Sequence, residues 1–171
     1  MIAATYHLWL KPSGPPYELL SRTIAELARE LGSPVFEPHV TLAGPLHGSE
    51  QEHLRNSERL ASQLSYFEIV LSEPSHGPEH FRCVFMLVEP IPTIMRANAL
   101  AKTVFDLPAD AYTPHLSLVY GTYPEAERRR VLSTLSDSLR LTFPARSVDL
   151  IRATSDDPTD WHTVASVGLR P

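Results

Sequence analysis

Cysteine is almost missing from this chain: Cys83 is the only one in 171 residues. That excludes an intramolecular disulfide framework and any Cys-x-x-Cys metal site, and makes a reducing, cytoplasmic compartment the simplest home. Long apolar runs are missing too. Nowhere do about 18 consecutive apolar residues occur, as a membrane span requires, and the opening MIAATYHLWLKP has no basic leader before an apolar run that His7 interrupts. Neither a membrane anchor nor an export signal is therefore expected. Basic runs are also lacking. With 15 basic against 20 acidic residues, a formal net charge of −5 and a pI near 5.9, the chain has nothing to track a phosphate backbone. Tight binding to long nucleic acid is disfavoured, while a small anion remains within reach of local donors. What is present is a 43% hydrophobic content, enough for the core of one domain or of two small lobes sharing an interface.

Periodicity and punctuation divide the chain as follows. Tyr6 to Leu10 predicts a strand, broken by Pro12 to Pro16. Tyr17 to Leu31 predicts a helix, with Leu20, Ile24, Leu27 and Leu31 on one face and Gly32 as its stop. His39 to Ala43 is a short strand, and Ser49 to Leu64 a polar helix with Leu54, Leu60 and Leu64 inward and a capping pair in Ser49 and Glu52. Phe67 to Leu71 and Phe81 to Val88 are strands around SEPSHGPEH, a loop or hairpin tip. Ile91 to Phe105 is a helix with Pro92 in its first turn, His115 to Val119 a strand, and Pro124 to Leu139 a helix. Leu141 to Thr154 and Trp161 to Leu169 are closing strands around SDDPTD.

The chain repeats itself. LWLKP, a helix and EPHVTL are matched downstream by MLVEP, a helix and TPHLSL, and a period of this size means duplicated lobes rather than a short-repeat solenoid. The expected fold is α+β: two pseudo-symmetric lobes, each an antiparallel sheet with helices on its outer face, with the active-site cleft between them. The duplicated halves run roughly 5–80 and 81–171 of a single bilobal domain.

Strand alternation puts His39 and Thr41 on one face with Val40 and Leu42 behind, and likewise His115 and Ser117 with Leu116 and Leu118 behind. Pro38 and Pro114 set an extended entry to each motif, suited to a strand start and an edge. Two imidazoles facing one cleft suit phosphoester chemistry. One can take a proton from an attacking water while the other gives one to the departing oxygen, each transfer being worth roughly 10² to 10⁴ in rate. The hydroxyls of Thr41 and Ser117 can donate to the nonbridging phosphate oxygens. The scheme calls for no metal and no cofactor. One His-x-Thr alone is commonly a hydrogen-bonded structural feature; two copies at equivalent places of a duplicated chain are not accounted for that way.

These motifs, with YHLWLKP, PHVTLAG, FRCVFML, TPHLSLVYG and WHTVASVGLRP, span nearly the whole chain. Together they resemble the 2H phosphoesterases, and within them the plant-type cyclic phosphodiesterases. The resemblance implies a metal-independent hydrolase with catalytic His39 and His115 and phosphate-binding Thr41 and Ser117. It would open ADP-ribose 1″,2″-cyclic phosphate and nucleoside 2′,3′-cyclic phosphates to ADP-ribose 1″-phosphate and nucleoside 2′-phosphates. It also implies that Trp9, Phe81 and Tyr120 line the site around the nucleotide. From the residues alone Trp9 and Phe81 read as ordinary core, and Tyr120 falls on the opposite face from His115 unless the strand ends or bulges near Val119, for which Gly121 gives a motive.

The chain departs from the plant pattern in its single cysteine and in the loops SEPSHGPEH and SDDPTD. His76 and His80 have a helical zinc spacing, but Gly77 and Pro78 argue against a helix there. His47, His53 and His162 read as solvated or loop residues, while His7 shares a strand face with Trp9. Two rival readings are an enzyme acting on RNA 2′,3′-cyclic phosphate ends or joining 2′-5′ ends, and a non-catalytic nucleotide-binding module. The expected partner is a small cyclic phosphate nucleotide and the expected state a monomer, with no membrane partner. Sequence leaves open which histidine is base and which acid.

Overall fold

The computed structural model describes residues 4–171; residues 1–3, the head of the stretch read for a leader, lie outside it. In chain order the elements are β1 (Thr5–Leu10), α1 (Pro15–Leu31), β2 (Val40–Leu46), α2 (Glu50–Ala61), β3 (Phe67–His76), β4 (Val84–Val88), α3 (Pro92–Val104), β5 (His115–Val119), α4 (Glu125–Thr134), β6 (Thr142–Ala145), β7 (Ser147–Ala153) and β8 (Trp161–Gly168). Local chemistry accounts for most boundaries. Pro15 and Pro16 open α1, and Gly32 closes it in the left-handed conformation at φ 69°. Ser49 caps α2 by accepting from the Glu52 amide at 3.3 Å. Leu20, Ile24 and Leu27 of α1 and Leu60 of α2 are buried as their spacing predicts.

Four expectations are corrected. β3 continues through Pro74 to His76, with a register shift between Leu71 and Pro74 that accommodates the missing donor, so the loop read over 72–80 shrinks to its second half. Phe81 belongs to a 3₁₀ turn, His80–Arg82, and β4 starts only at Val84. α4 stops at Thr134, where Ser133 and Thr134 donate back to the carbonyls of Arg130 and Val131 and Leu135 becomes extended. The single strand read over 141–154 is two strands that part at Arg146, β6 pairing with β3 and β7 with β1.

The strands form one eight-stranded sheet in the order β6-β3-β4-β5-β2-β1-β7-β8, with antiparallel pairing throughout. The order reads the same from either end if β2 exchanges with β5, β1 with β4, β7 with β3 and β8 with β6. The two lobes are thus β2-β1-β7-β8 and β5-β4-β3-β6, joined through the pair Val40↔Leu116. They do not coincide with segments 5–80 and 81–171. β3 leaves the first segment to pair with β4, and β7 leaves the second to pair with β1. The helices cross over likewise: α1 packs on β5 and α3 on β2, while α2 packs on β7 and β8 and α4 on β3 and β4.

The core is continuous through both lobes, with Leu8, Leu10, Leu42, Ile69, Met86, Leu116, Phe143 and Leu150 buried together. Each such side chain is worth about 1.5–3 kcal/mol of transfer free energy. Pro38 and Pro114 precede strands that are central in order rather than at an edge. Because β2 and β5 meet through one residue pair, neither proline interrupts a ladder.

Candidate active site

The meeting of β2 and β5 places the two motifs side by side. Val40, Leu42, Leu116 and Leu118 turn into the core, and His39, Thr41, His115 and Ser117 line a cavity of about 500 Å³ between the lobes. Trp9, Phe81 and Tyr120 line it as well. Two donors hold β2 where its pairing with β5 ends: the Tyr112 hydroxyl donates to the Thr41 carbonyl at 3.0 Å, and the buried Asn98 amide donates to the Leu42 carbonyl at 2.8 Å.

The two imidazoles are held the same way. His39 Nδ1 lies 2.7 Å from the Glu37 carbonyl and His115 Nδ1 lies 2.9 Å from the Thr113 carbonyl, each two residues back across the intervening proline. A carbonyl only accepts, so each Nδ1 carries the proton, and in the neutral ring each Nε2 is the free base. Their surroundings differ. His39 is 6% exposed, sandwiched against the Trp9 ring at 3.5 Å and 7°, with Tyr120 Oη 3.5 Å from Nε2. Burial pushes its pKa down to about 3, against the pull of the Glu37 carbonyl and with smaller downward pushes from Lys11, His7 and His115. His115 is half-buried with only the edge contact to Phe85 at 5.3 Å; burial, then the Arg82 charge, lower its pKa against the raising effect of the Thr113 carbonyl.

The aromatic wall comes from three places. β5 ends at Val119, which frees Tyr120 to turn into the cleft and stack on Phe36 at 3.7 Å. Gly121, at φ 147°, makes that exit possible; a Cβ there would meet the Tyr123 ring at 2.4 Å. Phe81 is 40% exposed and not core. Its turn is docked on β5 by the Ser117 hydroxyl, which donates to the Phe81 carbonyl at 2.8 Å, and by the Gly121 amide, which donates to the His80 carbonyl at 2.9 Å. Trp9 faces the cleft because it alternates with Leu8 and Leu10 on β1.

Sequence reasoning missed Trp161. Its ring lies 5.8 Å from Trp9, 5.9 Å from Phe81 and 5.8 Å from Tyr120, while its Nε1 donates to the Ser155 carbonyl at 2.8 Å. The only signal for it was its place in the WHTVASVGLRP fragment. Thr5, His7 and Asp156 also line the cleft, His7 by the alternation that pairs it with Trp9. His53, read as solvated, is buried on α2 against Tyr6 at 4.9 Å and Phe105 at 6.0 Å. His47, His80 and His162 are exposed, and His76 is half-buried at the end of β3. Among the described residues no cluster of His, Cys, Asp and Glu has the geometry of a metal site, and no helix is long and apolar enough to cross a membrane.

Beneath Trp9, the Lys11 ammonium contacts Glu37 Oε2 at 2.9 Å, Asp149 Oδ2 at 3.1 Å and Thr163 Oγ1 at 3.1 Å. All three of its N–H donors are occupied. Asp149 in turn accepts from Ser166 at 2.6 Å and Ser147 at 3.2 Å. The network ties the Glu37 segment, and with it the carbonyl that orients His39, to β7 and β8.

Two lobes related by pseudo-symmetry, each giving one His-x-hydroxyl strand to a common cleft, define the 2H phosphoesterases as a class. The chain belongs to the 2′-5′ RNA ligase superfamily, whose family model matches residues 8–157. It is 30% identical to a cyclic phosphodiesterase of Arabidopsis thaliana over 97% of this chain and 96% of that one. It is 26% identical to a 2′,3′-cyclic-nucleotide 3′-phosphodiesterase of Yarrowia lipolytica, covering 77% of this chain and 81% of the other. Among solved structures the fold matches Escherichia coli LigT in its apo form with a TM-score of 0.70 at 12% identity, over the whole of both chains. LigT complexed with 3′-AMP matches with a TM-score of 0.68 at 11% identity, over 98% of this chain and 99% of that one.

Proposed function

We propose that this protein hydrolyses small cyclic phosphate esters of nucleotides by paired histidine acid–base catalysis, without a metal. The substrate class comprises nucleoside 2′,3′-cyclic phosphates, opened to nucleoside 2′-phosphates, and ADP-ribose 1″,2″-cyclic phosphate, opened to ADP-ribose 1″-phosphate. The observation that carries this is the matched anchoring of the rings. Both Nδ1 atoms are committed to backbone carbonyls, which leaves two Nε2 atoms directed at one cleft beside two hydroxyls. The likeness to a cyclic phosphodiesterase and to a 2′,3′-cyclic-nucleotide 3′-phosphodiesterase supports the cyclic phosphate part of this reading.

Burial divides the roles. His39, held neutral, is the base that takes a proton from water as the water oxygen bonds to phosphorus. His115, the more exposed ring, is the acid: in its imidazolium form it gives its Nε2 proton to the ester oxygen as that oxygen's bond to phosphorus breaks and is left as the neutral ring, which regains a proton from solvent. Thr41 and Ser117 donate to the nonbridging oxygens. Ser117 must release the Phe81 carbonyl to do so, which links phosphate binding to the turn bearing one wall of the cleft. The test is hydrolysis of ADP-ribose 1″,2″-cyclic phosphate and of the four nucleoside 2′,3′-cyclic phosphates in excess EDTA, with products read by phosphorus NMR, for wild type, His39→Ala and His115→Ala. Turnover in EDTA that either substitution cuts by at least about 10² is expected. A folded wild type inert on all five substrates would refute the proposal.

A further inference from the structure

The cleft extends away from the histidines along β1. Trp9 is level with Thr41 and stacks on His39, whereas Thr5 is level with Ala153, roughly 13 Å farther at the rise of a strand. Ser155 and Asp156 follow Ala153 and close that end, and His7 lies midway. A ligand with its cyclic phosphate on the histidine pair meets this stretch with the rest of its body.

The charge of that stretch is unusual for a nucleotide site. Imidazoles apart, the one formally charged side chain lining the cleft among the described residues is Asp156. The basic side chains nearby are engaged elsewhere. Lys11 has its three donors on Glu37, Asp149 and Thr163. Arg82 pairs with Glu79 at 2.9 Å and lies over the Phe85 ring at 5.9 Å. Arg152 alternates with Ile151 and Ala153, which line the cleft, and so projects from the opposite face of β7. His7 is kept from serving as a cation near neutrality by burial, with a smaller push from His47. Diphosphates are normally held by arginine forks, lysines or helix N-termini, and the lining residues here come from strands, a 3₁₀ turn and loops.

We propose that the cleft selects substrates whose only charged group is the cyclic phosphate itself, nucleoside 2′,3′-cyclic monophosphates. It discriminates against those in which a diphosphate joins the cyclised ribose to a second nucleoside, and Asp156 is the specificity-determining residue. This rests on the cyclic phosphodiesterase reading above and ranks substrates within it. The diphosphate brings two further negative charges to a region whose fixed charge is already negative, where a like-charge contact at an exposed position such as Asp156 is worth up to about fivefold.

The experiment measures kcat/KM for 2′,3′-cyclic AMP and for ADP-ribose 1″,2″-cyclic phosphate with wild type, Asp156→Asn and Asp156→Lys, at low and high salt. Wild type should favour the mononucleotide by at least about fivefold, and Asp156→Asn should narrow that ratio by about threefold to fivefold. Asp156→Lys should narrow it further, and salt should narrow it in wild type but little in Asp156→Asn. A wild-type ratio at or below unity, or a ratio that neither substitution moves, overturns the proposal. Should the folded wild type turn over neither compound, the hydrolase reading fails. The ranking is then read from calorimetric Kd values of the two intact compounds on His115→Ala, where tighter binding of the diphosphate compound overturns it.

Discussion

Acid should weaken this fold through His39 before it protonates the carboxylates. An unfolded histidine titrates near 6.5, whereas burial holds the folded His39 ring down to about 3. Between those values the unfolded chain binds one proton that the folded chain refuses. Stability therefore rises with pH across that window and falls as pH drops through it, by about 1.4 kcal/mol per pH unit for one group. By pH 4 the His39 share reaches about 3 kcal/mol, a large fraction of the 5–15 kcal/mol typical of domains. His7, His53 and His115 are also lowered, chiefly by burial, and act in the same direction. The His39 share is isolated by difference. Urea unfolding of wild type and His39→Asn at pH 7.5, 6, 5 and 4 should give curves that converge toward acid, the variant losing less stability per pH unit. Carboxylates titrate in both proteins and cancel. Parallel curves would refute the buried, neutral His39 on which its proposed role as base depends. A bound phosphate monoester at Nε2 should flatten the wild-type slope, because the anion favours the protonated ring.

Two further outcomes follow from the same surroundings. In kcat/KM, which reports the free enzyme, both limbs of the pH profile should lie on the acid side of 6.5, since both imidazoles are lowered; an alkaline limb near 8 would assign it to another group. Lys11→Met should cost about 3 kcal/mol in urea unfolding, because it leaves Asp149 buried without its cation. The same variant should move the acid limb upward, because Lys11 is one of the charges that hold His39 down. A stability loss with an unmoved acid limb would confine Lys11 to a purely structural part.

The parts of the site legible in the sequence are those set by chain-local rules. Alternation alone puts His39 with Thr41 and His115 with Ser117, and the glycine at 121 predicts the strand exit that lets Tyr120 into the cleft. What could not be read there depends on contacts between distant segments. Phe81 has the propensity of a strand residue, yet hydrogen bonds from Ser117 and Gly121 fold its segment into a turn. Residues 141–154 have strand character apart from Pro144, which suits the edge strand β6, and nothing local says that the chain leaves at Arg146 for the opposite end of the sheet. His53 sits in a polar helix and is buried because β1 brings Tyr6, and the end of α3 brings Phe105, against it.

The crossover of β3 and β7 bears directly on how the geometry of the proposed catalytic pair is held. If each sequence half folded on itself, the two motif strands would belong to separate bodies joined by the pair Val40↔Leu116, and the distance between the imidazoles would vary with any rocking of one body against the other. Here β1 is pinned between β2 of its own half and β7 of the other, and β4 between β3 and β5. α1 backs β5 and α3 backs β2, and the Asn98 amide of α3 donates to the carbonyl one residue past Thr41. Each histidine strand is therefore braced by elements from the opposite half. Rocking would break core contacts in both lobes together, a cost that scales with the whole interface rather than with one residue pair. The pieces that close the cleft from outside the sheet are the Phe81 turn and the Ser155–Asp160 loop, tied to it by the hydrogen bonds of Ser117 and Trp161. In the proposed mechanism such a rigid pair of imidazoles suits a reaction in which one ring withdraws a proton as the other delivers one.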